Sequence, residues 1–143
     1  MGCVYCFEGA KMKNNIQKAT ISHIIDFLRT QVGTCKKLRV TWFGGEPLLV
    51  YYRLKELSLA LMEFCNSHQI EYKADITTNG FALNEARCHE MVSQLQVKRY
   101  IITIDGLAAT HDVRRPLKNG ESSFSTIWHN IELLVDTGAW VTI

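Results

Sequence analysis

Two cysteines, Cys3 and Cys6, stand in the opening stretch MGCVYCFEG, separated by Val4 and Tyr5. A Cys-x-x-Cys pair can hold zinc, run thiol redox chemistry or give thiolates to an iron–sulfur cluster. Four further stretches carry chemistry. In TWFGGEPLL (41–49), Gly44 and Gly45 allow close approach of the backbone to a ligand, and Glu46 adds a carboxylate suited to an ammonium group. Pro47 fixes the turn that follows. TTNGF (77–81) and TIDGL (103–107) present Asn79 and Asp105 in the turn-forming pairs Asn-Gly and Asp-Gly. HDVRRP (111–116) reads as a loop, with His111 as a turn or surface residue. Arg114 or Arg115 there either reaches back to a carboxylate or ribose or lies on the surface. None of these stretches matches the G-x-G-x-x-G dinucleotide fingerprint or a phosphate loop ending in Gly-Lys-Ser/Thr.

These residues need elements to position them, and the hydrophobic periodicity supplies four helix–strand units. Ile21, Ile24, Ile25, Leu28 and Val32 recur at helical spacing, and Gly33 stops that helix. LRVTWF (38–43) is rich in β-branched and aromatic residues and predicts a buried strand. Leu54, Leu57, Leu61, Phe64 and Cys65 mark the second helix, and EYKADITT (71–78) the second strand. Asn84 is placed to cap a third helix whose inner face is Cys88, Met91, Val92 and Leu95. RYIITI (99–104) predicts the third strand. Phe124, Ile127, Trp128, Ile131, Leu134 and Val135 form the last helical stripe, stopped by Gly138, and WVTI begins a fourth strand. Strands about 30 residues apart, alternating with helices, imply an α/β fold of parallel strands joined by helical crossovers. Gly-Gly-Glu-Pro, Thr-Asn-Gly and Asp-Gly each follow a strand, the edge at which parallel α/β folds gather ligands. The cysteine pair has no strand before it and the chain stops within a strand, so the sequence reads as cut from a longer one.

The 143 residues suffice for one domain with a hydrophobic core. Apolar residues make up 47% and charged residues 21%, as in ordinary globular proteins. Lys plus Arg number 16 against 14 Asp plus Glu, a net charge of +2 that points to neither nucleic acid nor an anionic membrane as partner. The basic stretch Lys36–Arg39 reads as a solvated turn before a strand. No apolar run reaches the roughly 18 residues that span a bilayer, and no signal peptide is visible, so a cytoplasmic location is expected. In that reducing setting the five cysteines are expected as thiols or metal ligands. Cys65 and Cys88 read as small core residues and Cys35 as an exposed turn residue, leaving only Cys3 and Cys6 with ligand spacing. Zinc would need two more ligands; Cys35 is the nearest, and no second Cys-x-x-Cys or His-x-x-x-His follows. A thioredoxin-like redox motif expects a strand before the pair.

Cys-Val-Tyr-Cys-Phe, followed in order by Gly-Gly-Glu-Pro, Thr-Asn-Gly and Asp-Gly, resembles the radical S-adenosylmethionine superfamily. FGGEPLL and TIDG…HDVRRP are most similar to its anaerobic sulfatase-maturating, SPASM-type peptide-modifying branch. The resemblance covers nearly the whole chain. It implies residues 1–143 of a partial (β/α) barrel core, incomplete at both ends, with the first and later strands missing. The family's cluster loop is Cys-x-x-x-Cys-x-aromatic-Cys; Cys3, Tyr5 and Cys6 match its last four positions, and the first cysteine falls before Met1. In the family, three thiolates hold a 4Fe–4S cluster whose fourth iron takes S-adenosylmethionine, and reductive cleavage of that cofactor starts hydrogen abstraction. The resemblance therefore implies an oxidoreductase with a 4Fe–4S cluster and S-adenosylmethionine, with Cys3 and Cys6 as metal ligands. It also implies Tyr5 near the adenine, Gly44, Gly45 and Glu46 on the methionine amino group, and Thr103 near the ribose. Asn79 and Asp105 line the same mouth, and the resemblance extends to Arg114 and Arg115. The implied partners are a peptide or protein substrate, such as a sulfatase Cys or Ser, and an external flavodoxin- or ferredoxin-type electron donor. The alternatives are a glycyl-radical-enzyme activase of the same superfamily and a truncated, non-catalytic or zinc-binding domain. The motifs name no general base.

Overall fold

A computed structural model of the chain describes residues 1–6 and 16–143. Phe7, Glu8 and Gly9 of the opening stretch lie outside the described residues. The elements follow as α1 (Lys18–Gln31), β1 (Lys37–Trp42), α2 (Tyr51–Ser67), β2 (Glu71–Thr78), α3 (Glu85–Ser93), β3 (Val97–Ile102), α4 (Ala108–Arg114), α5 (Phe124–Asp136) and β4 (Trp140–Thr142), with a 3-10 turn at Pro47–Val50. The strands form one parallel sheet in the order β1-β2-β3-β4. This is the expected α/β architecture, with an unclosed sheet and helical crossovers between consecutive strands.

Alternation along the strands sends one set of side chains to the helices. Leu38, Val40 and Trp42, then Ala74 and Ile76, then Val97, Tyr100 and Ile102 pack into a single core with Leu54, Leu57, Leu61, Met91, Leu95, Ile127 and Leu134. Cys65 and Cys88 lie in the interior, 1% and 0% exposed, as their helical spacing indicated. Cys35 is exposed, and its thiol donates to the Lys37 carbonyl. The opposite face of the sheet is polar. Lys37 pairs with Glu71 at 3.0 Å, Lys73 with Glu71 at 2.9 Å and Arg39 with Asp75 at 3.8 Å. Pairs as exposed as these add little stability.

Two expectations are corrected. The third strand runs over 97–102 instead of 99–104, because the register with β2 shifts between Ala74 and Asp75. Lys98 is left as an extra residue, so that both Val97 and Tyr100 turn into the core; β2 ends at Thr78, opposite Ile102, and Thr103–Asp105 lie beyond the ladder. The stretch 111–116, expected as a loop, begins as helix: residues 111–114 are the end of α4, and only Arg115 and Pro116 lie beyond it. The helix lacks a capping side chain at Leu107, and Leu107 and Val113 are exposed, so it carries none of the marks by which a helix is read from sequence. Elsewhere the punctuation matches. Asn84 caps α3 by accepting from the Arg87 amide, and Gly138 ends α5 at φ 77°.

Candidate functional site

At the carboxyl end of β1 the chain passes through Gly44 at φ 144°, where a side chain would meet open space. Glu46 then caps the 3-10 turn. Its Oε1 accepts from the Leu48 amide at 3.0 Å and the Thr78 hydroxyl at 2.7 Å; its Oε2 accepts from the Asn79 amide at 2.8 Å. The carboxylate thus clasps the ends of β1 and β2 together. A carboxylate has about four acceptor directions. Among the described residues three are filled, leaving one on the half-buried Oε2 side. The Thr78 hydroxyl also accepts from the Gly80 amide, and Asn79 Oδ1 from the Phe81 amide. Gly80 sits at φ 75°, and a Cβ there would lie 3.1 Å from Ile102 Cγ2, so the turn requires glycine.

The end of β3 is organised by a side chain expected at the surface. His111 is fully buried, because α4 lays it beneath the loop after β3. Its Nδ1 accepts from the Asp105 amide at 3.2 Å, which fixes the tautomer with the proton on Nε2. Its ring meets Phe124 edge-on at 5.5 Å. Burial, and then the nearby Arg115 charge, hold the imidazole below the ordinary histidine value of 6.5, against the opposing pull of Asp112 and Asp105. The unfolded chain therefore takes up this proton at higher pH than the folded one. Stability is full above about pH 6.5 and falls as pH is lowered past that value. The carboxylates Asp112, Glu71 and Glu90, all held below their ordinary values, titrate lower still and do not share this window. Urea midpoints measured from about pH 7.5 to 5 should decline, and His111→Asn should flatten the decline; a midpoint already constant in the unaltered chain would contradict the assignment.

The cysteine loop lies against the same rim. Gly2 and Val4 donate backbone hydrogen bonds to the Pro116 and Arg114 carbonyls at 2.8 and 3.0 Å, and the Cys6 amide closes a turn onto the Cys3 carbonyl at 3.3 Å. Cys3 is half-buried and Cys6 exposed. The Tyr5 hydroxyl accepts from Arg115 Nη1 at 2.8 Å. Burial of that hydroxyl, reinforced by the Asp105 carboxylate, raises the Tyr5 pKa, while Arg115 opposes the rise. Tyr5 and Asp105 therefore meet at one place. Three buried polar atoms around it, Asp105 Oδ2, His111 Nε2 and Arg115 Nε, have no hydrogen-bond partner among the described residues.

Glu46 and Asn79 are joined directly, and Tyr5 and Asp105 stand across the sheet end from them. Thr103 is exposed just beyond β3, and Arg114 is exposed at the last residue of α4. Arg115, 7% exposed, is the arginine that turns inward. Thr78 and Ser123 look in the sequence like ordinary strand and loop residues and gain their roles only from Glu46 and Arg115 opposite them. A cleft of about 430 Å³ lies at the other end of the strands, lined by Arg39, Lys73, Asp75, Arg99 and Trp140. None of the special loops reaches it. Among the described residues no three His, Cys, Asp or Glu side chains gather as a metal site, and no helix is long and apolar enough to cross a membrane.

The sequence profile of the Radical SAM superfamily matches residues 1–143. A serine-type anaerobic sulfatase-maturating enzyme of Klebsiella aerogenes is 27% identical over 139 residues, covering 94% of this chain and 33% of that enzyme. Its namesake from Klebsiella pneumoniae is also 27% identical, with 94% and 34% covered. Among solved structures, native anSMEcpe with bound AdoMet matches with a TM-score of 0.81 at 20% identity, over 99% of this chain and 38% of that one. The same protein with bound AdoMet and Cp18Cys peptide matches with a TM-score of 0.80. The chain spans about one third of the length of the curated relatives it matches, and the structural likeness establishes the fold.

Proposed function

This chain belongs to the radical SAM superfamily, and on that footing we propose that it forms the S-adenosylmethionine-binding part of an oxidoreductase acting on a peptide or protein side chain. The sulfatase-maturating enzymes it resembles supply the substrate class. The observation that carries this reading is convergence. The cysteine loop, the Gly44–Glu46 turn and the Asp105 loop come to one edge of the sheet, in a chain matched along its full length by the family profile.

The residues fit S-adenosylmethionine. Among the described residues Glu46 keeps one acceptor direction open to an ammonium group, and a Cβ at Gly44 would meet none of them within 4 Å, leaving room for a ligand on the backbone. Asp105 Oδ2 is a buried acceptor in want of a donor, as a ribose hydroxyl would be, with the exposed Thr103 hydroxyl nearby in sequence. Tyr5, its hydroxyl tied back to Arg115, presents a ring for the adenine. Arg114, exposed at the last residue of α4, is offered to a carboxylate. For a 4Fe–4S cluster, Cys3 and Cys6 supply two of the three thiolates of the family's loop. When bound, cluster and cofactor together supply the reductive chemistry that starts hydrogen abstraction. This chain's own residues then orient the cofactor and exclude water. A flavodoxin- or ferredoxin-type donor and a reducing, cytoplasmic setting complete the proposal.

Calorimetric titration of the chain with S-adenosylmethionine tests the binding half. One saturable site is expected, weakened roughly tenfold by Glu46→Gln, which removes the charge facing the ammonium. No saturable binding at millimolar cofactor would overturn the assignment of these residues.

A further inference from the structure

We infer that the segment 111–124 is a bracket for the cysteine loop and that Arg115 is its pin, a positioning residue that fixes the Cys3–Cys6 turn and does not itself bind the cofactor. Only the purpose of this bracket rests on the reading of Cys3 and Cys6 as metal ligands; its existence rests on hydrogen bonds.

Cys3 lies between two anchored residues. The Gly2 and Val4 amides donate to the carbonyls of Pro116 and Arg114, and the intervening Arg115 sends its guanidinium to the Tyr5 hydroxyl. Residues 2, 4 and 5 are thus all held by three consecutive residues, 114 to 116. The two sides of this contact are unequal. Tyr5 is 50% exposed and Arg115 7%, so the arginine is the fixed partner and the loop is the part being held.

Arg115 is in turn secured on both sides. Its amide donates to the His111 carbonyl at 2.7 Å, and its own carbonyl accepts from the buried Ser123 hydroxyl at 2.7 Å. Asp112 Oδ1 accepts from the Ser123 and Phe124 amides at 2.8 and 2.9 Å, closing the loop 115–123 upon α4. His111 takes the Asp105 amide and so ties α4 to the end of β3. Hydrogen bonds therefore run from the loop after β3, through His111 and Arg115, to Tyr5, while the carbonyls on either side of Arg115 hold the residues on either side of Cys3. The stretch HDVRRP acquires a role from this series: its histidine and aspartate hold the bracket, and its second arginine holds the loop.

Hydrogen–deuterium exchange on the chain without iron tests the inference, using Arg115→Met to keep the stem and remove the donors. The Gly2 and Val4 amides should exchange roughly tenfold faster, the range for loss of a hydrogen bond from an ionised donor, while amides of β2 and β3 keep their rates. The S-adenosylmethionine Kd of the same protein should change less than about threefold, since under this inference the cofactor's carboxylate does not depend on Arg115. Unchanged exchange at Gly2 and Val4, or a Kd weakened tenfold with the loop still protected, would overturn it. Tyr5→Phe removes the acceptor from a half-exposed side chain and guards against misfolding of the methionine variant. It should accelerate the same two amides by a smaller factor, and no acceleration counts against the pin. Faster exchange, together with no iron bound by protein that carries the third cysteine of the family's loop, would leave the bracket standing and remove the metal reading of the cysteines instead.

Discussion

Replacing Glu46 with alanine is expected to lower the free energy of unfolding by about 2–4 kcal/mol, measured by urea denaturation. The carboxylate receives the Leu48 amide, the Asn79 amide and the Thr78 hydroxyl. Hydrogen bonds to a charged acceptor are worth about 1.5–3 kcal/mol each, and water reaching a half-buried site replaces part of that sum. The loss falls on two elements at once. Leu48, 2% exposed, anchors the 3-10 turn beneath the core, and Thr78 ends the strand that pairs with β1. Glu46→Gln should cost less, about 1–2 kcal/mol, because Oε1 survives while an amide group is set against the Asn79 N–H. A loss below about 0.5 kcal/mol for alanine would show that the clasp contributes nothing to joining the strand ends.

The second large effect concerns iron and spares the fold. In protein that includes the third cysteine of the family's loop, Cys3→Ala and Cys6→Ala should each bring bound iron to background and lower S-adenosylmethionine cleavage roughly a thousandfold or more, as for groups that act as a unit. Both residues lie in the rim loop, outside the core, so thermal unfolding should move little. Cys88→Ala supplies the contrast. That thiol is fully buried and its pKa is pushed up to about 11 by burial, so it is no thiolate donor. Its removal should lower stability by about 1 kcal/mol and leave iron untouched. Iron retained by the Cys6 variant, or lost from the Cys88 variant, would reverse the assignment.

The sequence speaks plainly where periodicity and capping agree. EYKADITT begins and ends as read, Asn84 caps α3, and Gly138 closes α5, because each signal is local. Local signals fail where a distant residue decides. Val97 and Tyr100 are spaced out of strand phase, and only the irregular pairing with Ala74 and Asp75 brings both inward. Gln69 and Gln96 take the left-handed conformation at φ 56° at the ends of helical turns, a position that composition assigns to glycine. In the site, Glu46, Asn79 and Asp105 are legible because turn chemistry after a strand marks them. Arg114 and Arg115 are indistinguishable until the phase of α4 is known, and that short helix has a single buried residue, His111, to set it. The Thr78 hydroxyl is legible only from Glu46, 32 positions earlier in the chain.

The most direct measurement of the central claim is chemical. The polypeptide, extended upstream to carry the third cysteine, is reconstituted anaerobically with iron and sulfide, reduced with dithionite and given S-adenosylmethionine. The products are separated by liquid chromatography. Membership of the radical SAM superfamily, with Cys3 and Cys6 read as cluster ligands, predicts 5′-deoxyadenosine, absent when Cys6 is alanine. A preparation that shows the 4Fe–4S absorption band and binds the cofactor, yet releases no 5′-deoxyadenosine, would contradict it.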